Sequence, residues 1–217
     1  MSDLSTARTA MVDRQVRPSD VTSFPIIESM LWTPRERFTP VAQRAVAYAD
    51  LPVSLGNGRE MLDPRTFAKL LDGARIGPDD LVLDIAPGYG YSTAVIARMA
   101  AAVIAVEPDE AMAAAASGAL AALEVDNALV SHGDAAAGDP EHGPFDAIFV
   151  NVGVAAPPAA LLAQLKDGGR MVAIEMAGGS GRAVVYVKTG ERIATRRLFD
   201  AATPVAPWFE AEATFAF

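Results

Sequence analysis

The feature that most constrains this chain is an alternation beginning at residue 81. Short apolar runs at 81–85, 102–106, 127–131, 145–150 and 169–175 are interleaved with segments of helical spacing that run through Met99, over 109–123 and over 158–165. Runs of this length and apolarity suit strands covered on both faces. Strands alternating with helices predict βαβ units and a mostly parallel sheet. The fold class expected is therefore α/β, doubly wound. Residues 182–188 and 192–199 flank Thr189-Gly190-Glu191, which predicts an antiparallel hairpin at the C-terminal side. The Gly-rich stretch 178–181 before it reads as a flexible loop, and 211–217 alternates enough to predict one more strand.

The first part of the chain has a different texture. Pro18, Pro25, Pro34 and Pro40 break residues 1–55 into short helices, predicting a helical cap. Phe24-Pro25 is a suitable helix entry, and Thr33-Pro34 ends that helix because the residue before a proline avoids helical backbone. Ile26, Ile27, Met30 and Leu31 supply its apolar face. Gly56-Asn57-Gly58 and Gly77-Pro78-Asp79-Asp80 are turn signals. Between them, Asp63-Pro64 reads as an N-cap with proline at the first helical position, followed by Phe67, Leu70 and Leu71 at helical spacing. The division expected is one domain over 1–217, with the cap at 1–55 and a ligand-binding sheet region at 78–217.

Composition removes several functions. Half the residues are apolar (51%) and 21% are charged, a globular balance. Eighteen Lys and Arg against 27 Asp and Glu give a net charge of −9, which opposes nonspecific binding to duplex nucleic acid. With no cysteine there are no disulfides, thiolate metal sites or cysteine nucleophiles. His132 and His142 are the only histidines, so no zinc site is expected. There is no Gly-x-Ser-x-Gly hydrolase elbow. The opening MSDLSTARTA has no apolar run, and no stretch offers the roughly 20 apolar residues of a bilayer span. A soluble cytoplasmic protein, monomer or homodimer, is the expectation.

The sharpest local signal is Asp84-Ile85-Ala86-Pro87-Gly88-Tyr89-Gly90-Tyr91-Ser92-Thr93, a Gly-x-Gly turn between a strand and a helix. Glycines there admit close approach of a ligand to backbone, and the helix start offers free N–H groups. Ala86 stands where the full dinucleotide fingerprint has a further glycine, which weakens a pyrophosphate reading. Glu107 closes the next strand, 23 residues after Asp84, where a carboxylate can accept both hydroxyls of a ribose. Asp134, in Gly133-Asp134 past the third strand, is placed to meet an adenine edge. All three lie at the carboxyl ends of successive strands, where such sheets bind ligands. The plain alternatives are a ligand-free turn at Gly88 and Gly90, a helix-capping acid at Glu107 and an ordinary turn residue at Asp134.

Beyond these residues the chain resembles the protein-L-isoaspartate O-methyltransferase family, within the class I S-adenosylmethionine-dependent methyltransferases of Rossmann-like fold. The likeness runs through Met11-Val12-Asp13-Arg14-Gln15-Val16, Trp32-Thr33-Pro34-Arg35-Glu36-Arg37-Phe38, Tyr48-Ala49-Asp50, the 84–93 turn, Phe145-Asp146-Ala147-Ile148, Ala155-Ala156-Pro157-Pro158 and Leu165-Lys166-Asp167-Gly168-Gly169-Arg170. It implies S-adenosyl-L-methionine as cofactor and methyl transfer to a carboxylate oxygen, as in repair of isoaspartyl damage. It also implies that Asp84, Ala86, Gly88, Gly90, Glu107 and Asp134 bind the cofactor. The substrate pocket it implies is built from Arg59, Met61, Leu62 and Asp63, with Asn151 and Val152 beyond the fourth strand. The partner would be a damaged protein or peptide, or a small-molecule acceptor.

Three departures from the family pattern stand out. Ala86 replaces a glycine, Asn151-Val152-Gly153 replaces a Thr-Ala-Ala-like run, and the segment 56–64 lacks the Thr-Ile-Ser run usual in the family and carries Asp63. An ionised aspartate is acceptor-only and repels a substrate carboxylate unless a cation such as Arg59 or Arg65 compensates. Asp63 thus reads as the cap of its helix, as a pocket residue selecting another nucleophile such as an amine or hydroxyl, or as a surface residue; the first two are not exclusive, since a capping oxygen can border a pocket. The activities implied are isoaspartyl methylation, methylation of a different acceptor by a diverged enzyme, or a non-catalytic cofactor-binding or interaction role.

Overall fold

The computed structural model describes residues 4–210. The strand predicted over 211–217 lies outside the described residues. The cap is built from α1 (Leu4–Met11), a π-turn over Val12–Val16, α2 (Phe24–Trp32) and 3-10 turns at Arg35–Phe38 and Val41–Val46. As the prolines predict, α2 has Pro25 in its first turn and ends at Thr33. A small hairpin follows, β1 (Val53–Gly56) and β2 (Arg59–Met61), then α3 (Pro64–Ala74). The turn signal at Gly56-Asn57-Gly58 was legible; the strands flanking it, only four and three residues long, were not. Asn57 and Gly58 both take positive φ, 52° and 72°, the Asn-Gly geometry that suits a two-residue hairpin loop.

The sheet contains β3 (Leu81–Ile85), β4 (Ala102–Glu107), β5 (Ala128–His132), β6 (Phe145–Val154), β7 (Leu165–Ala177), β8 (Ser180–Thr189) and β9 (Arg192–Asp200). The crossing helices are α4 (Tyr91–Ala97), α5 (Glu110–Ala121) and α6 (Ala159–Ala163). The order is β5-β4-β3-β6-β7-β8-β9. Pairing is parallel from β5 to β7 and antiparallel through β8 and β9. The strand order reverses between β3 and its neighbours β4 and β6, so the loop after β3 opens at the switch point where ligands bind such sheets.

Three segments differ from expectation, one being β7, which begins at Leu165, four residues before the predicted start, while the helix predicted over 158–165 ends at Ala163. Residues 178–181 are not a flexible loop. Gly178 and Gly179, at φ 56° and 83°, form a two-residue turn joining Ala177 to Ser180, and Gly181 already belongs to β8. β6 also runs four residues past the predicted end, to Val154, with a register irregularity between Phe149 and Gly153. That extension is held by a strap from the end of the chain. Gly153 donates to the Pro204 carbonyl (3.0 Å), Ala206 to Gly153 (3.3 Å), and Ala155 to Phe209 (3.0 Å).

Apolar residues fill both faces of the sheet. One core holds Val82, Phe67, Tyr91, Val103, Ala147 and Phe149 with the cap residues Met11, Met30 and Phe38; the other holds Leu83, Ile85, Ile148, Leu161, Met171 and Tyr186. Successive residues of β3 alternate between them, as the two-residue period of a strand requires. Phe67 of α3 is the link between cap and sheet, with its ring 5.2 Å from Tyr91 and 5.5 Å from Phe149. The outer strand β9 exposes Arg192, Arg196 and Arg197. Phe67→Ala is expected to lower unfolding free energy by about 3–5 kcal/mol in urea titration. Leu129→Ala, on half-exposed β5, should stay within about 0.5 kcal/mol.

Candidate active site at the carboxyl edge

Glu107 ends β4 with no solvent exposure. Its carboxylate accepts backbone N–H from Gly88 (Oε2, 2.7 Å) and Asp109 (Oε1, 3.0 Å). Its remaining positions are taken by Arg59, reaching in from β2: Nη1 donates to Oε1, and Nη2 to Oε2 at 2.9 Å. Arg59 Nη2 also donates to the Ala86 carbonyl at 2.9 Å, and the guanidinium lies 5.8 Å from the Trp208 ring. Arg59 is itself buried, at 6% exposure. The sequence placed Arg59 beside the acceptor or Asp63; the structure places it on Glu107, across the carboxyl edge of the sheet. Nothing in the local sequence signals this contact, because its partner lies 48 residues away.

The hairpin covers the glycine turn as well. Gly88 has φ +64°, and a Cβ there would stand 2.6 Å from Leu55 Cδ1 of β1. Gly90, at φ +93°, is the N-cap of α4, and a Cβ there would stand 3.0 Å from Ala116 Cβ of α5, closer than ordinary contact. Ala86 sits in the same left-handed region, φ +56°, although it carries a side chain. At the hairpin tip, Asn57 Nδ2 donates to Asp109 Oδ2 at 3.3 Å.

Asp84 is the second buried carboxylate. Ser92 and Thr93 hydroxyls donate to Oδ2 at 2.7 Å each, and Asn151 Nδ2 donates to Oδ1 at 2.6 Å and to the Ile85 carbonyl at 2.9 Å. Asn151-Val152-Gly153 therefore has two structural tasks. Asn151 orients Asp84, and Gly153 lets the strap close in, since a Cβ there would lie 2.8 Å from the Thr203 carbonyl. Val152 is buried. Burial pushes the Asp84 carboxyl up to about 6, against the hydrogen bonds from Thr93, Ser92 and Asn151, which draw it down; the charge of Glu107 raises it.

The other predicted residues disperse. Asp134 is exposed and its Oδ1 accepts the Ala136 N–H at 2.8 Å, forming a local turn beside the edge. Asp63 caps α3, accepting the Thr66 N–H at 2.9 Å, and is half-buried. Its neighbours Met61 and Leu62 are half-buried and buried. Arg65 is exposed. The cation near Asp63 is instead Arg35, which is wholly buried beneath the segment and donates to the Leu62 carbonyl (2.6 Å) and the Ala47 carbonyl (2.8 Å). Burial lowers the Arg35 pKa, and the charge of Asp63 is among the influences that raise it. Nothing in the charged block 32–38, which also holds Glu36 and Arg37, marked Arg35 as the buried one. Tyr91 packs in the core, while His142 meets Asp139 on the surface.

A carboxyl whose folded pKa is raised binds its proton more tightly folded than unfolded. Its contribution to stability is present below about pH 4, the unfolded value, and is lost as pH rises through about 6. Asp84→Asn should therefore remove a fall in unfolding free energy between about pH 4 and 6 that wild-type protein shows. Asn151→Ala should move the Asp84 carboxyl carbon titration, read by NMR, further upward.

The family model for protein-L-isoaspartate(D-aspartate) O-methyltransferase matches residues 6–201. The chain is 35% identical over 199 residues to a protein-L-isoaspartate O-methyltransferase of Roseiflexus castenholzii, covering 91% of this chain and 90% of that one. It is 39% identical over 170 residues to one of Methylorubrum extorquens, covering 78% and 74%. A solved structure from Plasmodium falciparum, described as a protein-L-isoaspartate O-methyltransferase in complex with S-adenosyl-L-homocysteine, shares the fold with a TM-score of 0.79 at 20% identity, over 91% of this chain and 97% of that one. With a buried acid at the end of β4, a glycine turn at the switch point and these likenesses, the chain belongs to the protein-L-isoaspartate(D-aspartate) O-methyltransferase family and is an S-adenosylmethionine-dependent methyltransferase.

Proposed function

We propose that the methyl acceptor is an isoaspartyl-type carboxylate on a protein or peptide, and that Asp84, Gly88, Gly90 and Glu107 hold the cofactor. Relatives spanning nine-tenths of the chain carry that activity in their names, which supports the acceptor class. The observation that carries the cofactor assignment is Glu107, fully buried and aimed at the Gly88 turn by backbone N–H groups. The chemistry of the edge suits an adenosyl group: a carboxylate able to accept ribose hydroxyls, and two positive-φ glycines with no side chain of their own, the first covered by Leu55 of the hairpin. Bound there, S-adenosylmethionine supplies a sulfonium methyl.

The residues of the chain then have a limited task. A carboxylate is already ionised at neutral pH and needs no general base. The gain comes from aligning it and excluding water. The negative charge of Asp63, which would oppose an anionic acceptor, is met locally by the α3 N-terminus and by Arg35. As a helix cap, Asp63 is compatible with an anionic acceptor.

The test is methyl transfer from labelled S-adenosylmethionine to a peptide containing isoaspartate, with a normal aspartyl peptide as control. A base-labile methyl ester on the first alone is expected. Asp63→Ser keeps a capping oxygen and should change the rate by no more than about twofold. A large gain would show that the aspartate excludes the carboxylate, and label on neither peptide would refute the acceptor.

A further inference from the structure

Resting on that reading of Glu107, we infer that Arg59 is a gate on the nucleoside site. Its guanidinium takes the place of a ribose diol on Glu107, and an adenosyl ligand enters only when the β1–β2 hairpin lifts Arg59 away.

A carboxylate offers about four acceptor positions. Those of Glu107 are filled by Arg59 Nη1 and the Asp109 N–H on Oε1, and by Arg59 Nη2 and the Gly88 N–H on Oε2. The two backbone donors belong to the fold, so a diol can replace only the two from Arg59. A guanidinium fork and a vicinal diol also present the same thing to a carboxylate, two donors side by side.

The rest of the hairpin lies over the same ligand surface. Leu55 packs on Gly88, and Asn57 reaches Asp109. These two contacts and the fork involve the turn and the acid assigned to the cofactor, or the residue that begins the next helix. The closed arrangement is also incompletely satisfied: Arg59 Nε and Trp208 Nε1 are buried with no hydrogen-bond partner among the described residues. Both atoms belong to the side chains that close the edge. Their unmet hydrogen bonds favour an alternative position for Arg59 and Trp208.

Titration calorimetry with S-adenosyl-L-homocysteine on wild type, Arg59→Gln and Arg59→Met tests the gate. Both variants should bind at least about tenfold more tightly than wild type, because less of the protein is held in a closed state. The ligand-free variants should melt at lower temperature, having lost a buried pair. A merely structural arginine would lower both stability and affinity. Equal or weaker binding by folded variants, with wild type binding, overturns the gate and leaves the cofactor reading intact. No binding by any of the three overturns both.

A second measurement needs no change at Arg59. In Trp32→Phe protein, the emission of Trp208 should shift as S-adenosyl-L-homocysteine binds. Binding without such a shift overturns the displacement of Arg59.

Discussion

A carboxylate with no access to water must find its hydrogen bonds within the protein, and the carboxyl edge of this sheet is organised around that requirement at Glu107. Gly88 donates from the turn after β3, Asp109 from the entry to α5, and Arg59 from a hairpin that is not part of the main sheet. One side chain thus ties together three loops that the chain visits far apart. Removing either partner of a buried pair of this kind strands the other charge, a loss of about 3–5 kcal/mol. The same geometry serves two ends. It holds the edge together in the absence of ligand, and it leaves the acid oriented toward the glycine turn by backbone groups that do not depend on Arg59.

Asp84 is handled differently. Among the described residues it has hydroxyls and an amide for partners and no cation, so burial prevails and its carboxyl stays easier to protonate. The two acids of the edge are therefore distinct in kind, one matched by a full charge and one by dipoles. Ala86 lies between them in a left-handed conformation that costs a residue with a side chain roughly 1–2 kcal/mol. Its carbonyl is used by Arg59, so the unfavourable backbone sits within the network that closes the edge.

The parallel core was legible because β3, β4 and the start of β6 are largely apolar runs bounded by helical patterns and fall where those runs are. Glu107 and the 84–93 turn were legible because they follow strand ends, where position alone suggests a role. What the sequence hid were contacts made across long separations. Arg59 could not be assigned to Glu107 from spacing, and Asn151-Val152-Gly153 looked like a loop change because its partners, Asp84 and the strap at 203–209, are remote. Asp63 showed its capping role through the proline that follows it, and Asp134 carried only the ambiguity of any aspartate after a glycine. The break in texture at 178–181 was read as mobility when two adjacent positive-φ glycines form a tight turn. Two glycines in a row are compatible with either, and only the pairing of β7 with β8 decides.

Among the described residues the sheet finishes on β9, with no further strand beside its outer border. Exposed backbone of that kind invites addition of another strand. Here the border carries Arg192, Arg196 and Arg197 in a molecule whose overall charge is −9. Two molecules meeting border to border would bring Arg192 and Arg196 of one against those of the other, while Arg197 is already paired with Asp200, so the border discourages self-stacking while staying open to an acidic neighbour.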